Sequence, residues 1–184
     1  MVDDLIIVDC QYDFIDGSLA CQHSGEAVKY LVDFINAHDV RALYTSDWHK
    51  ETNKSFKVNG GIWPVHCVAG THGAAVSDDF AKGIKDAANH PGKENLFLKG
   101  QNDDVEEYSA FNGVNAEGKA LHEVASSHVY VGGIASEYCV KETVLALLSS
   151  GRSVTLLTDG LGYVSEADHK KALEEMEKLG VELS

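Results

Sequence analysis

Short apolar runs alternate along this chain with longer segments in which apolar residues recur every three or four positions. Continuous apolar runs of this length are typical of strands that are covered on both faces of a sheet. The predicted strands cover residues 5–8, 41–45, 95–98, 128–133 and 153–157, with a short sixth strand near Val181.

Segments with a helical period lie between these runs. In one of them Val28, Leu31 and Ile35 share a helix face, and Ser165 with Asp168 resembles a capping box at the start of the last helix. The predicted helices lie around residues 28–35, 76–84, 119–125 and 138–148, and after Ser165.

Strands that alternate with helices predict an α/β fold with a mostly parallel sheet. We expect a three-layer, doubly wound arrangement with five or six strands, formed by one domain that spans residues 1–184. A strand order of 3-2-1-4-5 would place the first and fourth strands side by side at a switch point. Ligands bind at such points in open parallel sheets.

The composition excludes several classes of protein. A net charge of −14 argues against binding to nucleic acid or to anionic membrane surfaces. The acidic start of the chain does not read as a signal peptide, and no apolar run reaches membrane-spanning length. We therefore expect a cytoplasmic protein with a small-molecule partner, and leave a homo-oligomer open. Without Cys-x-x-Cys spacing, Cys10, Cys21, Cys67 and Cys139 are expected to be thiols.

Polar residues follow several predicted strands at the point where each strand ends. Asp9 follows the first strand, Lys99 the third and Cys139 the fourth. Because the carboxyl ends of parallel strands share one edge, we expect these side chains to meet. Each has an ordinary alternative: a capping Asp, a solvated Lys, and a small buried Cys that seals a strand–helix junction.

A thiol, a carboxylate and an ammonium group together suit nucleophilic catalysis. The unpaired N–H groups and dipole at the start of a helix favour a thiolate at Cys139. Asp9 would accept the thiol proton and pass it to a leaving amine, while Lys99 stabilises both anions. The N–H groups of Ala135 and Cys139 would stabilise an oxyanion. A distant histidine such as His66 is not excluded as the base.

A second group of polar residues suits a metal ion. Asp47 and His49 project to the same side of an extended segment, and His66 follows in a loop rich in Gly and His. One carboxylate and two imidazoles suit zinc, iron or manganese with open positions for water or ligand. The alternative is a pair of hydrogen-bonded loop histidines.

Six segments resemble, in order, motifs of the nicotinamidases, which are isochorismatase-like cysteine hydrolases. The resemblance covers nearly the whole chain, and its metal segment distinguishes the nicotinamidases from most other members of that superfamily. These segments are residues 7–14 with 17–19, 46–49 with 55–56, 63–71, 97–100, 108–111 and 133–140.

The resemblance implies roles for individual residues. It implies a catalytic triad, one divalent metal ion (zinc before iron or manganese), a cis peptide between Ile134 and Ala135, and a substrate pocket. Asn53 stands where many members carry another histidine ligand, which leaves Glu51 or solvent as substitutes. The implied residues are Asp9, Lys99 and Cys139 for catalysis; Asp47, His49 and His66 for the metal; and Phe14, Leu19, Trp63, Tyr108, Ala135 and Tyr138 for the substrate.

The same resemblance implies hydrolysis of nicotinamide to nicotinate and ammonia through a thioester, with activity on pyrazinamide and a place in NAD salvage. Three alternatives remain open. One is a metal-independent sibling hydrolase acting on another amide or carbamoyl group. The others are an enzyme that cleaves a vinyl ether, as isochorismatases do, and a non-catalytic binding domain of the same fold.

Overall fold

The computed structural model describes residues 2–184 and contains a six-stranded, all-parallel sheet. The strands lie in the order β3-β2-β1-β4-β5-β6, which confirms the predicted order and places the switch point between β1 and β4. The strands are β1 (Asp3–Val8), β2 (Val40–Asp47), β3 (Leu96–Lys99), β4 (His128–Gly133), β5 (Ser153–Leu161) and β6 (Glu182–Leu183).

Helices cover both faces of the sheet. Apolar side chains of α2 and α3 pack on one face, and those of α5 and α6 pack on the other, so the predicted three-layer architecture is confirmed. The helices are α1 (Tyr12–Ile15), α2 (Ser24–Ala37), α3 (Asp79–Gly83), α4 (Leu121–Val124), α5 (Lys141–Ser149) and α6 (Glu166–Lys178).

Two predicted helices differ from those observed. The helix predicted over 76–84 is the short α3, because Val76 instead forms an antiparallel bridge with Gln11. The helix predicted over 138–148 begins with a π-helical turn at Ser136–Val140 before α5. The prediction for the last helix is confirmed, since the Ser165 hydroxyl accepts a hydrogen bond from the Asp168 N–H.

The central strands are buried on both faces, which explains their continuous apolar runs. Leu5, Ile6, Ile7 and Val8 of β1 are all at most 1% exposed, and they alternate between the two halves of the core. Among residues 2–184, no helix combines the length and the apolar character that crossing a membrane requires.

Backbone geometry brings β1 and β4 unusually close at the carboxyl edge. Gly133 has φ +125°, and a Cβ there would lie 2.1 Å from the Val8 carbonyl oxygen, so only glycine fits. Asp9, the next residue after β1, has φ +48°, which is a conformation that few non-glycine residues adopt. Departures of this kind cluster at functional sites.

Candidate active site

Asp9, Lys99 and Cys139 meet at the carboxyl edge of the sheet, as the sequence predicts. The Lys99 Nζ atom lies 2.9 Å from Asp9 Oδ2 and 3.4 Å from Cys139 Sγ. All three residues are buried. Since Lys99 ends β3 and pairs in register with Asp47 of β2, its ammonium group also donates to Asp47 Oδ1.

The two oxygens of Asp9 have different partners. Oδ1 accepts a hydrogen bond of 2.6 Å from the Thr45 hydroxyl. Oδ2 lies 2.9 Å from the Lys99 ammonium nitrogen, and no other residue among 2–184 donates a hydrogen bond to this buried oxygen. A carboxylate oxygen of Asp9 lies within 4.8 Å of Cys139 Sγ, so this carboxylate is in position to take the thiol proton.

Burial controls the protonation of both Cys139 and Asp9. Burial raises the pKa of the Cys139 thiol well above its usual value, and the nearby Lys99 ammonium only partly opposes this. Burial therefore outweighs the helix dipole and the unpaired N–H groups, which favour a thiolate. Cys139 carries its proton in the free protein and needs a base to become a nucleophile. Burial also raises the pKa of Asp9, against the attraction of Lys99. A raised pKa makes the Asp9 carboxylate a stronger base.

The π-helical turn that carries Cys139 also presents backbone donors. The Ile134–Ala135 peptide is cis, as the resemblance implies. The Ala135 carbonyl accepts from the Tyr138 and Val140 N–H groups, whereas the Ala135 N–H has no hydrogen bond to another backbone group of residues 2–184. Ala135 and Cys139 both border the cavity described below, and the Ala135 N–H is available to a ligand there.

Asp47, His49 and His66 form a second group beside the first. The Asp47 Oδ2 atom lies 3.4 Å from His49 Nε2 and 3.8 Å from His66 Nε2. The ligand atoms of all three residues lie within 4.8 Å of one another, and all three side chains are buried. Asp47 thus contacts Lys99 through one oxygen and both imidazoles through the other.

Each imidazole is oriented by a backbone carbonyl. His49 Nδ1 lies 2.8 Å from the Gly100 oxygen, and His66 Nδ1 lies 2.8 Å from the Pro64 oxygen. A carbonyl only accepts, so both Nδ1 atoms carry hydrogen, and Nε2 is the nitrogen that each imidazole turns toward Asp47. Hydrogen bonds of this kind support the histidine ligands of metal sites.

Gly100 makes the approach to His49 sterically feasible. Its φ is +71°, and a Cβ at this position would lie 2.5 Å from the Cε1 atom of His49. A side chain would therefore displace the imidazole that the Gly100 carbonyl orients.

The donor set fits a divalent metal ion. Two Nε2 lone pairs and a carboxylate oxygen converge, and a cation between them satisfies all three. Burial would raise the pKa of Asp47, but Lys99 and His49 outweigh it and hold that pKa well below its usual range. Burial lowers the pKa of His66. Asp47 and His66 are therefore in the deprotonated form that binds metal. Burial alone would lower the pKa of His49, but the hydrogen bond and charge of Asp47 raise it, so a metal ion competes with a proton at this imidazole.

Asn53 and Glu51 do not lie in position to complete this group. The Asn53 Oδ1 atom accepts from the Ser55 N–H, and its Nδ2 atom lies 3.3 Å from Nδ1 of His49, on the opposite side of the ring from the ligand atom. Glu51 is exposed. In the described part of the chain, the protein therefore offers three ligands, and Asn53 packs behind one of them.

A cavity opens beside both groups. Three aromatic side chains form one wall: Tyr138 lies with ring centroids 5.0 Å from Trp63 and 5.5 Å from Tyr108. Phe14 contacts the His66 ring at 5.4 Å. The predicted site residues that border the cavity are Phe14, Leu19, Asp47, His49, Trp63, His66, Tyr108, Ala135, Tyr138 and Cys139, with Asp9 and Lys99 buried behind them.

Several residues that support the site were not singled out from the sequence. The Gln11 side chain donates to the Asp47 carbonyl and accepts from the Asp47 N–H, both at 2.8 Å. Glu107 accepts from the Gly100 N–H, and its carbonyl accepts from Lys99. Glu106 accepts from Trp63 and Tyr108. The position of Gln11 two residues after Asp9 was the only sequence signal for any of them.

Comparisons with known proteins agree with this geometry. The chain is 34% identical to a nicotinamidase/pyrazinamidase of Mycobacterium tuberculosis over 97% of this chain and 96% of that protein. The structure of a Pyrococcus horikoshii pyrazinamidase in complex with zinc is similar, with a TM-score of 0.85 and 31% identity over 100% of this chain and 99% of that one. The L. infantum protein PnC1 in complex with nicotinate gives a TM-score of 0.80 and 33% identity over 100% and 92%.

A sequence profile of the isochorismatase domain matches residues 4–184. The match covers the Asp9, Lys99 and Cys139 group, the Asp47, His49 and His66 group, and every strand from β2 to β6 in full. This chain therefore belongs to the isochorismatase domain family.

Proposed function

We propose that this protein hydrolyses nicotinamide to nicotinate and ammonia, with a zinc ion in its site, and that it serves NAD salvage. The observation that carries the proposal is the contact of Lys99 with both Asp9 and Cys139, directly beside a metal-type group and an aromatic wall. The names of the M. tuberculosis and P. horikoshii relatives support the substrate class and the metal.

The first half of the reaction forms a thioester. Cys139 Sγ attacks the carboxamide carbon while its proton moves to the Asp9 carboxylate, one oxygen of which lies within 4.8 Å of the sulfur. The negative charge that develops on the carboxamide oxygen is stabilised by the N–H groups of Ala135 and Cys139. The C–N bond then breaks as Asp9 returns the proton to the nitrogen, and ammonia leaves.

The second half regenerates the thiol. Asp9 takes a proton from water, the resulting hydroxide attacks the thioester carbon, and the C–S bond breaks. The proton held by Asp9 passes to the Cys139 sulfur, and the acid product leaves. Its carboxyl proton is taken up by the released ammonia, which gives nicotinate and ammonium. Lys99 remains protonated throughout, because the Asp47 and Asp9 carboxylates raise its pKa well above the usual value although burial alone would lower it.

Asp47, His49 and His66 would hold the metal ion. When bound, the ion supplies a Lewis-acid contact that holds the ring nitrogen of the substrate and so orients the ring. The side chains of Phe14 and Trp63 enclose the ring from the cavity walls. Orientation of this kind places the carboxamide carbon near Cys139.

Ammonia release from three amides tests the proposal. We expect turnover of nicotinamide and pyrazinamide by the zinc-loaded protein, and much slower turnover of benzamide, since benzamide lacks the ring nitrogen. Coupled measurement of ammonia gives kcat/KM for each compound. No turnover of nicotinamide would contradict the proposed function. Equal rates with benzamide would contradict the role of the ring nitrogen and favour a metal-independent amide hydrolase.

Removal of one metal ligand tests the zinc site. His66→Ala should weaken zinc binding by more than the roughly 10–100-fold that loss of an outer-shell partner costs, because a ligand itself is lost. Zinc affinity is measured by competition with a chromogenic chelator, and metal content by elemental analysis. His72→Ala is the matched control, since this histidine stacks on Tyr12 outside the group. Unchanged zinc affinity in His66→Ala would contradict this assignment.

A further inference from the structure

Glu106 holds a carboxylate against the aromatic wall of the cavity. Its Oε1 atom accepts hydrogen bonds of 2.8 Å from Trp63 Nε1 and 2.6 Å from the Tyr108 hydroxyl. Trp63 Nε1 also lies 3.1 Å from the Tyr108 oxygen. The two wall residues therefore fix the position of the charge, and Glu106 itself borders the cavity.

The acidic side chains that border the cavity outnumber its lysines and arginines. Three acidic residues line it, Asp47, Glu106 and Glu107, and the lining contains no lysine or arginine. Asp47 is compensated by Lys99, and the Glu107 carboxylate accepts from the Gly100 N–H. Across residues 2–184, no lysine or arginine forms an ion pair with Glu106. No lysine or arginine therefore neutralises this exposed carboxylate, and solvent ions screen its effect on the cavity.

The proposed reaction changes the charge of the bound molecule. Nicotinamide is neutral, whereas nicotinate carries a carboxylate, so a fixed negative charge in the wall repels the product and has little effect on the substrate. We propose that Glu106 is a specificity-determining residue that favours neutral heteroaromatic carboxamides and weakens binding of the carboxylate product. This inference rests on the proposed function. The same repulsion disfavours carboxamides whose ring carries an additional carboxylate.

The variant Glu106→Gln isolates the charge, because glutamine keeps an Oε1 acceptor for Trp63 and Tyr108. The inhibition constant of nicotinate and the KM of nicotinamide are measured with zinc-loaded protein at low ionic strength. We expect the ratio of the inhibition constant to KM to fall about three- to tenfold. Added salt should tighten nicotinate inhibition of the unmodified protein and have a smaller effect on the variant.

Glu174→Gln, on the exposed side of α6, makes the same change of net charge away from the cavity and should leave the ratio unchanged. An unchanged ratio in Glu106→Gln, or a parallel rise of both constants, would overturn the inference and leave Glu106 as a support for the wall alone. If nicotinamide is not hydrolysed at all, the proposed function is wrong. Calorimetric titration with nicotinate then decides the inference separately, since equal affinities for both proteins would overturn it.

Discussion

Replacing Cys139 with alanine is expected to lower the rate of ammonia release from nicotinamide by at least about 10⁴-fold. The reason is geometric: Cys139 is the thiol that contacts Lys99 and lies within 4.8 Å of a carboxylate oxygen of Asp9. Without the sulfur no thioester forms, and neither Asp9 nor the backbone donors can replace the bond. The rate is measured by coupled ammonia detection with folding verified by circular dichroism.

Cys10→Ala provides the matched control for this experiment. Cys10 is an equally buried thiol whose sulfur contacts the Val8 carbonyl and does not border the cavity. Its removal should reduce stability slightly and leave most of the activity. Rapid acid quenching during turnover should give a nicotinoyl adduct by mass spectrometry in Cys10→Ala and none in Cys139→Ala. A folded Cys139→Ala protein with full activity would exclude the thiol mechanism.

Replacing Lys99 with methionine is expected to destabilise the fold by about 3–5 kcal/mol, because two buried carboxylates lose their cation. Lys99 is 2% exposed and contacts both Asp9 and Asp47. At about 2–4 °C for each kcal/mol in a chain of this size, the shift in melting temperature is readily measured by calorimetry. A chelating buffer ensures that no metal ion compensates Asp47 in place of the lysine.

Two further variants identify the cause of that loss. Lys29→Met makes the same chemical change in an exposed ion pair with Asp33 and should alter the melting temperature little. Adding Asp47→Asn to Lys99→Met removes one of the uncompensated charges and should restore part of the stability. A Lys99→Met protein as stable as the original would show that the buried carboxylates do not depend on Lys99.

The pattern of apolar residues predicted the architecture because buried parallel strands leave a direct signal in the sequence. The residues at which the strands end were harder to predict. β5 extends to Leu161, four residues beyond the predicted end, because the polar stretch Thr158–Gly160 interrupts the apolar run while β5 continues. The register shift between β4 and β5 there joins Gly133 to Leu161. The pairing with β4 that extends β5 cannot be deduced from the residues of β5 alone.

The meeting of Asp9, Asp47, Lys99 and Cys139 was predictable because the carboxyl ends of parallel strands share one edge of the sheet. His66 lies in a loop, and the resemblance rather than the strand order pointed to it. The supporting contacts were not predictable, because they depend on side-chain geometry between distant segments. The Thr45 hydroxyl reaches Asp9 across 36 positions, and Glu106 reaches Trp63 across 43. The protonation of Cys139 was also out of reach, since the degree of burial that raises its pKa is a property of the whole fold.

Asp47 has a consequence for how this enzyme can change by mutation. Its two oxygens face different parts of the site, one toward the ammonium group of Lys99 and the other toward the imidazoles of His49 and His66. The hydrolytic group and the ion-binding group therefore share one carboxylate. A substitution that changes the charge on the Lys99 side of Asp47 will also change ion binding on the imidazole side. The effects of two substitutions, one on each side, should therefore be strongly non-additive.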